Sequence, residues 1–427
     1  MNQAGNKVLS ITLALTIFLL LTSQLVLIPI IALLTLFTIT SLKFKPNLSI
    51  EDLLFFLFIG VSTISIIFAK NKELAVGGVL VLVLYYFVFN LGKNWRWEYS
   101  GIYWGGLVAV IILTIFGAIF YLFPDLALFI RVENINLIEI PSAKFFSHNS
   151  VLRSPSITPN PVIFSSSVLY IIPVILSWLI TKLNDKPIAF WISILALSII
   201  EVMVLVLSNS RSFLILAPLA TLAVLYFSRQ HKSIFVFTVV SISVFVILLG
   251  YISNFIIERI KLIFEWKDYT SLFNRLDAYG LGLNLFQTNP IVGIGLINFK
   301  EHVAPYFGNY IHNLYLSILV ETGILGLTAF TSLLAVSLHK AIKNLVAKFE
   351  ITKLGYMVSI FSFLTHGLID NTLYVVPLGL LFWLFLGISI QSLPKKESES
   401  YNSQRCLQNN KEFTLSPNKS NNLDTSQ

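Results

Sequence analysis

A single cysteine, Cys406, among 427 residues leaves no partner for a disulfide within one chain and no cysteine-based metal site. Charge is almost as scarce: Asp, Glu, Lys and Arg make up 12% of the residues, against about 25% in an ordinary globular chain. Signatures of soluble catalysis are missing too. There is no Gly-rich Walker loop, no His-Glu-x-x-His zinc pattern and no Asp-x-Asp of the kind that holds a metal and a nucleotide sugar. Gly293-Ile-Gly295 is too short to be a dinucleotide fingerprint. These absences argue against a reaction driven by ATP or a nucleotide sugar, and no cofactor or metal is expected. No transporter-type internal repeat is evident, and no A-x-A-like site follows the first apolar run, so no cleavable signal peptide is expected.

Apolar residues are plentiful instead, at 56% of the chain, with a mean hydropathy of +0.81. A bilayer is the expected solvent. The 35 Phe residues suit lipid-facing and helix-packing surfaces, and the 21 Gly and 15 Pro are tolerable in spans whose neighbours re-satisfy freed backbone groups. Apolar runs long enough to cross the hydrocarbon core as helices fall near 8–23, 25–42, 52–69, 74–91, 102–123, 160–181, 187–208, 212–228, 233–251, 312–338, 352–369 and 372–393. A formal net charge of +8 would suggest nucleic acid in a soluble protein. Here the basic residues, among them Lys43, Lys45, Lys93, Arg96, Lys182, Lys186, Lys340 and Lys343, sit in the gaps between spans. They read as topology determinants: twelve spans with both termini cytoplasmic is the orientation that keeps Lys and Arg inside, and no nucleic-acid partner is expected. The fold class is therefore all-α and polytopic, with a membrane domain over 1–393. The tail 394–427, rich in Ser, Asn, Gln and Lys, cannot bury a core and is expected to be disordered.

Polar side chains concentrate in two long external loops, 124–159 and 252–311. The first holds Arg131, Glu133, Glu139, Lys144, His148 and Arg153, and then a Pro-punctuated run through Pro155, Pro159, Asn160 and Pro161 that cannot be regular helix. In the second, between spans 9 and 10, Glu258, Lys261, Glu265 and Asp268 recur at helical spacing opposite apolar residues, the pattern of an amphipathic interfacial helix. A second helix is predicted from Leu272 to Gln287, stopping at Asn289-Pro290. Gly293-Ile-Gly295 is read as a flexible turn.

Several residues could carry chemistry. Arg211, in the tight turn Asn209-Ser210-Arg211-Ser212, is either a snorkelling interfacial arginine or an anion clamp. Arg275 could pair with Asp277 or bind an anion, and Arg153 ahead of the Pro-rich turn is similar. His312 opens a predicted span; the helix dipole there disfavours a protonated imidazole and keeps it available as a base. Glu201 and Glu321 lie inside predicted spans, where an ionisable group is costly and so a candidate for function, or a hydrogen-bonded structural glutamate. His366 and Asp370 are one turn apart and would share a helix face.

Taken in order, Asn209-Ser210-Arg211-Ser212, Arg275, Pro290-Ile-Val-Gly293-Ile-Gly295 with Phe299, and His312-Asn313-Leu-Tyr315 continuing to Glu321-Thr-Gly323-Ile-Leu-Gly326 resemble the O-antigen ligase and O-antigen polymerase superfamily. The likeness is specific over about 205–330 within a related core of about 160–390. Arg153 with Pro159-Asn160-Pro161 resembles a further family element, with Ser or Pro where Gly usually stands. The resemblance implies a bacterial inner-membrane enzyme. It would move a glycan from an undecaprenyl-diphosphate carrier to an acceptor hydroxyl on the periplasmic face, without metal or cofactor. The acceptor is lipid A-core for a ligase or a second lipid-linked repeat for a polymerase; a transporter, a label some members carry, is the reading from another class. On this likeness His312 is the base, Arg211, Arg275 and Arg153 hold the diphosphate, and Asn313, Tyr315, Glu321 and Asp277 support them.

Overall fold

The computed structural model describes residues 3–22, 48–94, 99–126, 128–132, 135–140, 142–146, 152–229, 270–303 and 311–391, with short pieces at 33, 232–233, 236–239 and 242–243. The predicted spans 25–42 and 233–251, the amphipathic segment around 255–268 and the tail 394–427 lie wholly or mostly outside these residues.

The chain is helical almost throughout: α1 (Gln3–Thr22), α2 (Ile50–Ser65), α3 (Lys72–Asn94), α4 (Ser100–Leu122), α5 (Pro161–Leu183), α6 (Pro187–Ser208), α7 (Arg211–Phe227), α8 (Thr270–Thr288), α9 (Phe299–Val303), α10 (Leu314–Ala347), α11 (Ile351–His366) and α12 (Val376–Ser389). Among the described residues, six helical segments are long and apolar enough to cross a membrane: Ile50–Phe68, Lys72–Asn94, Ser100–Leu122, Pro161–Leu183, Pro187–Ser208 and Leu314–Ala347. The predicted spans 212–228, 352–369 and 372–393 hold shorter helices of 17, 16 and 14 residues. At 1.5 Å per residue the last is about 21 Å long, short of a hydrocarbon core of about 30 Å. It is short because residues 367–375 leave α-helical geometry, apart from a 3₁₀ turn at Thr372–Tyr374. The long predicted loop 124–159 also holds what the sequence reading missed, an antiparallel hairpin of β1 (Leu128–Val132) and β2 (Ile135–Ile140), in register Leu128 to Ile140 and Val132 to Ile135. Both strands are rich in the β-branched and aromatic residues that favour pleated structure.

Helix α5 is the centre of the bundle, packed on α4, α6, α7 and α11. Its start is fixed locally: the Asn160 side chain accepts from the Ile163 N–H at 2.9 Å and Pro161 takes the first helical position, where its missing donor costs nothing. Pro173 inside the helix cannot donate to the preceding turn. Nearby, Ser359 of α11 donates to the Tyr170 carbonyl at 2.6 Å, the kind of side-chain contact that makes such breaks tolerable in an apolar medium. On the other side of the bundle α12 packs on α3. They cross through glycines: a Cβ on Gly387 would collide with the Phe89 carbonyl and one on Gly92 with the Leu384 carbonyl, the small-residue contact that lets helix backbones approach.

Ion pairs and loop contacts sort the bundle into two ends. At one, the start of α2 meets the last turns of α3 and α10 through Lys93–Asp52 at 2.6 Å and Lys340–Glu51 at 2.9 Å. At the other, the start of α3 meets the segment around α9: Asn71 and Asn298 exchange hydrogen bonds of 2.8 and 3.0 Å, and Lys70 donates to the Glu301 carbonyl at 2.5 Å. Asp52 is 2% exposed. Lys93→Met leaves that carboxylate buried without its cation and is expected to cost about 3–5 kcal/mol, read as a lower unfolding midpoint in detergent. Adding Asp52→Asn should recover much of the loss; a Lys93→Met protein as stable as wild type would show that the pair contributes nothing.

Candidate functional site

The conformation of the Pro290–Phe299 segment is set by α10. Gly323 interrupts that helix with φ of 68°, a left-handed value that costs other residues about 1–2 kcal/mol. The segment docks at the break: the Ile324 and Leu325 N–H groups donate to the Pro290 and Ile291 carbonyls at 2.9 and 3.2 Å, and the Ile294 and Gly295 N–H groups donate to the Val320 and Glu321 carbonyls at 3.2 and 2.9 Å. Gly293, with φ of 74°, lies so close to the Glu321 backbone that a Cβ would overlap it. The reading of Gly293-Ile-Gly295 as a flexible turn is thus corrected, since its backbone is tied to the helix break on both strands of contact. Glu321, 3% exposed, completes the junction. Its carboxylate accepts from the Ile297 N–H at 2.9 Å, the Phe299 N–H at 3.3 Å and the Tyr374 hydroxyl at 2.6 Å.

That junction leads to the N-terminus of α10, where His312 stands. Asn313 is the N-cap, its side chain accepting from the Leu316 N–H at 2.9 Å, so His312 lies just ahead of the first helical turn. The loop after α11 lies against it. Three successive carbonyls of that loop accept from three places: Gly367 from the Leu314 N–H at 2.7 Å, Leu368 from the Asn313 amide at 3.1 Å and Ile369 from the Arg275 guanidinium at 3.1 Å. The next residue, Asp370, places its carboxylate 3.1 Å from His312 Nδ1. Tyr315 anchors the far side by donating to the Leu364 carbonyl at 2.9 Å, and Tyr279 of α8 donates to the His312 carbonyl at 2.9 Å.

The Asp370–His312 contact has a chemical consequence. A carboxylate accepting from Nδ1–H fixes the tautomer in which Nε2 carries the lone pair, and it stabilises the imidazolium formed when Nε2 takes a proton. His312 retains partial access, with 31% of its side chain exposed against 11% for Asp370. Burial pushes the Asp370 carboxyl up, but the His312 hydrogen bond, the charges of His312 and His366 and the Asn371 N–H outweigh it and hold the group below the ordinary carboxylate value.

Arg211 opens α7 and is exposed. Asn209, with φ of 49°, caps the end of α6 in left-handed geometry, and Asn209 and Ser210 are the two residues that separate the helices. Arg153 reaches the same turn: its Nε donates to the Ser208 carbonyl at 2.9 Å, and the adjacent Ser154 N–H donates to Leu207 at 2.7 Å. The turn connects to the His312 side through Ser212, whose hydroxyl lies 3.0 Å from His366 Nε2.

Of the predicted site residues, His312, Asn313 and Arg275 converge on the 367–371 loop, Tyr315 bonds to Leu364 in the last turn of α11, Arg153 meets the Arg211 turn, and Glu321 sits deeper, at the break in α10. Asp277 is exposed and makes no ion pair with Arg275 among the described residues. Glu201 accepts from Thr221 across α6 and α7. His366 and Asp370 do not share a helix face. The helix ends at His366, whose carbonyl accepts from the Ile369 and Asp370 N–H groups at 2.8 and 2.9 Å, and the turn sends Asp370 to His312. The four-residue spacing was visible in the sequence; the helix end between the two was not.

Because the folded carboxyl of Asp370 titrates below its unfolded value, the stabilisation it supplies is complete above the unfolded carboxylate pKa of about 3.9 and is lost as pH falls through the lower folded value. The gap in unfolding midpoint between wild type and Asp370→Asn should therefore be largest near neutrality and close in acid. A gap that does not change with pH would refute the stabilised Asp370 carboxylate.

A family model described as O-Antigen ligase matches residues 194–331. No curated protein matches the chain. The matched segment runs from within α6 past the break in α10 and contains Arg211, Arg275, the docked Pro290–Phe299 segment, His312 and Glu321. Over residues 194–331 the chain is similar to the O-antigen ligase family, and the membrane-type helices that surround that stretch agree with the likeness.

Proposed function

We propose that this protein is an O-antigen-ligase-type glycosyltransferase of the bacterial inner membrane, taking its glycan from an undecaprenyl-diphosphate carrier and attaching it to a hydroxyl of lipid A-core. The observation that carries the reading is the company His312 keeps. Within one hydrogen-bonded end of the bundle stand an Asp370-oriented imidazole, the Arg275 guanidinium and, through Ser212 and His366, the Arg211 turn. The acceptor hydroxyl gives its proton to His312 Nε2 as its oxygen bonds to the sugar's anomeric carbon. The bond from that carbon to the diphosphate oxygen breaks, and undecaprenyl diphosphate leaves with the electron pair. Arg211 and Arg275, with Arg153 behind the turn, meet the negative charge that develops on the leaving group. No metal has a part in this scheme, since the guanidinium groups supply the positive charge. Nor does the leaving diphosphate need an acid, so the paired carboxylates of a glycosidase are not required.

Twelve spans with both termini cytoplasmic put this end of the bundle on the periplasmic face, where a lipid-linked glycan would be presented. The two-ended arrangement of contacts supports that alternation: Lys93 and Lys340 share the end assigned to the cytoplasm, and Asn71, Asn298, Arg211 and His312 share the other. A transporter reading would rest on Glu201 and Glu321, yet both are tied to structural donors.

In a transfer assay with purified lipid-linked glycan and lipid A-core, His312→Ala should reduce the rate by about 10² to 10⁴, the usual worth of a positioned general base. The wild-type rate should fall on acidification, because an imidazolium cannot accept the proton. Arg211→Lys should be far more damaging than its conserved charge suggests, since an ammonium cannot make bidentate contact with a diphosphate. Normal specific activity in folded His312→Ala, or a requirement for ATP, would end this mechanism. Elongation of the lipid-linked glycan in place of transfer to lipid A-core would reassign the protein as a polymerase.

A further inference from the structure

A second histidine, His366, is 1% exposed and takes no direct part in the chemistry above. Both of its ring nitrogens are engaged. Nδ1 lies 2.6 Å from the Tyr170 hydroxyl and Nε2 lies 3.0 Å from Ser212 Oγ. The Tyr170 hydroxyl in turn lies 2.7 Å from Thr372 Oγ1, and its ring stacks on Phe363. Tyr170 is fully buried in α5, at the centre of the bundle, so the imidazole is anchored to the packed core.

The two arms of His366 reach the two halves of the site. On the side-chain arm, Ser212 follows Arg211 in the first turn of α7, so the place of its hydroxyl fixes the rotation of that turn and with it the stance of the guanidinium. Ser210 Oγ, 3.1 Å from Ser212 Oγ, extends the contact to the N-cap. On the backbone arm, the His366 carbonyl closes the turn that brings Ile369 to Arg275 and Asp370 to His312. We infer that His366 is a positioning residue, which acts through Ser212 to hold the Arg211 turn in register with the His312 base. A histidine that merely filled a polar gap would need one partner; this one bridges a fully buried tyrosine and the residue beside the clamp. The inference rests on the glycosyl-transfer reading.

Two substitutions at 366 separate the arms. In His366→Gln the amide can reach where Nε2 was and keep Ser212. In His366→Asn it reaches only where Nδ1 was and keeps Tyr170. With the full chain purified in detergent and assayed on lipid-linked glycan, His366→Asn and Ser212→Ala should each lower kcat about tenfold, the size of one net hydrogen bond lost. The KM for the acceptor and the acid limb of the pH profile should stay as in wild type, because His312 remains the base. His366→Gln should retain most of the wild-type kcat. The double variant Ser212→Ala/His366→Asn should be no slower than His366→Asn alone, since both remove the same contact.

Multiplicative losses in the double variant, equal damage from Gln and Asn, or a displaced acid limb in His366→Gln would overturn the inference. If His366→Asn does not fold, as judged by its thermal midpoint, Ser212→Ala decides alone, and a wild-type kcat there refutes the role. Absence of any transfer by the wild type refutes the glycosyl-transfer reading itself and this inference with it, an outcome distinct from normal transfer by the variants.

Discussion

A carboxylate inside an apolar bundle has no water to turn to, so it must be met by donors from the protein or not be there. Glu321 satisfies that condition with two backbone N–H groups from the Ile297–Phe299 stretch and one hydroxyl from Tyr374, residues remote from it in the chain. Its solvation is thereby the docking of two distant segments onto α10. The break at Gly323 serves the same end, because an unbroken helix would consume the backbone groups that instead bind Pro290, Ile291, Ile294 and Gly295. Helix α10 can then present a rigid N-terminus, with His312 ahead of its cap, beside the end of α8 that carries Arg275.

The loop 367–371 is irregular backbone between two helices of a bundle that is otherwise apolar. Such backbone is tolerated only where its polar groups are taken up by protein or face a watery cavity. Here the carbonyls of Gly367, Leu368 and Ile369 are taken up by Leu314, Asn313 and Arg275. Every one of those partners borders the His312 position. Satisfying the loop and assembling the site are the same set of hydrogen bonds, which is why α11 and α12 are shorter than their apolar runs.

Hydropathy is read from local runs of apolar residues, and so the positions of α2 to α7 and the start of α10 were legible in the sequence to within a few residues, whereas α10 runs nine residues past the expected end at 338. Helix α8 was legible as well, from the stop at Asn289-Pro290. The roles of single side chains were harder to read. Arg211, Arg275 and His312 stood out by residue type and by order along the chain, whereas Asp370 gains its meaning only when the chain turns after His366 and returns it to residue 312. The Pro290–Gly295 segment looked flexible because glycine is permissive by itself; its neighbour Glu321–Gly323, which removes that freedom, is some thirty residues on. Short-range patterns gave no warning of the β1–β2 hairpin, set in a loop judged chiefly by its charges and prolines.

The two ends of the bundle treat cations differently, and the difference bears on what the site can bind. Lys93 and Lys340 are matched by the buried carboxylates of Asp52 and Glu51, which neutralises them in place. Arg275 is instead held by a neutral carbonyl, and Arg211 makes no ion pair among the described residues. A guanidinium has five donors, so a single bond to a carbonyl fixes its position while leaving its net charge and most of its donors for another anion. The neighbouring carboxylate, Asp370, is committed to His312. Positive charge at this end is therefore positioned but not cancelled, and it remains available to an anion brought to the site.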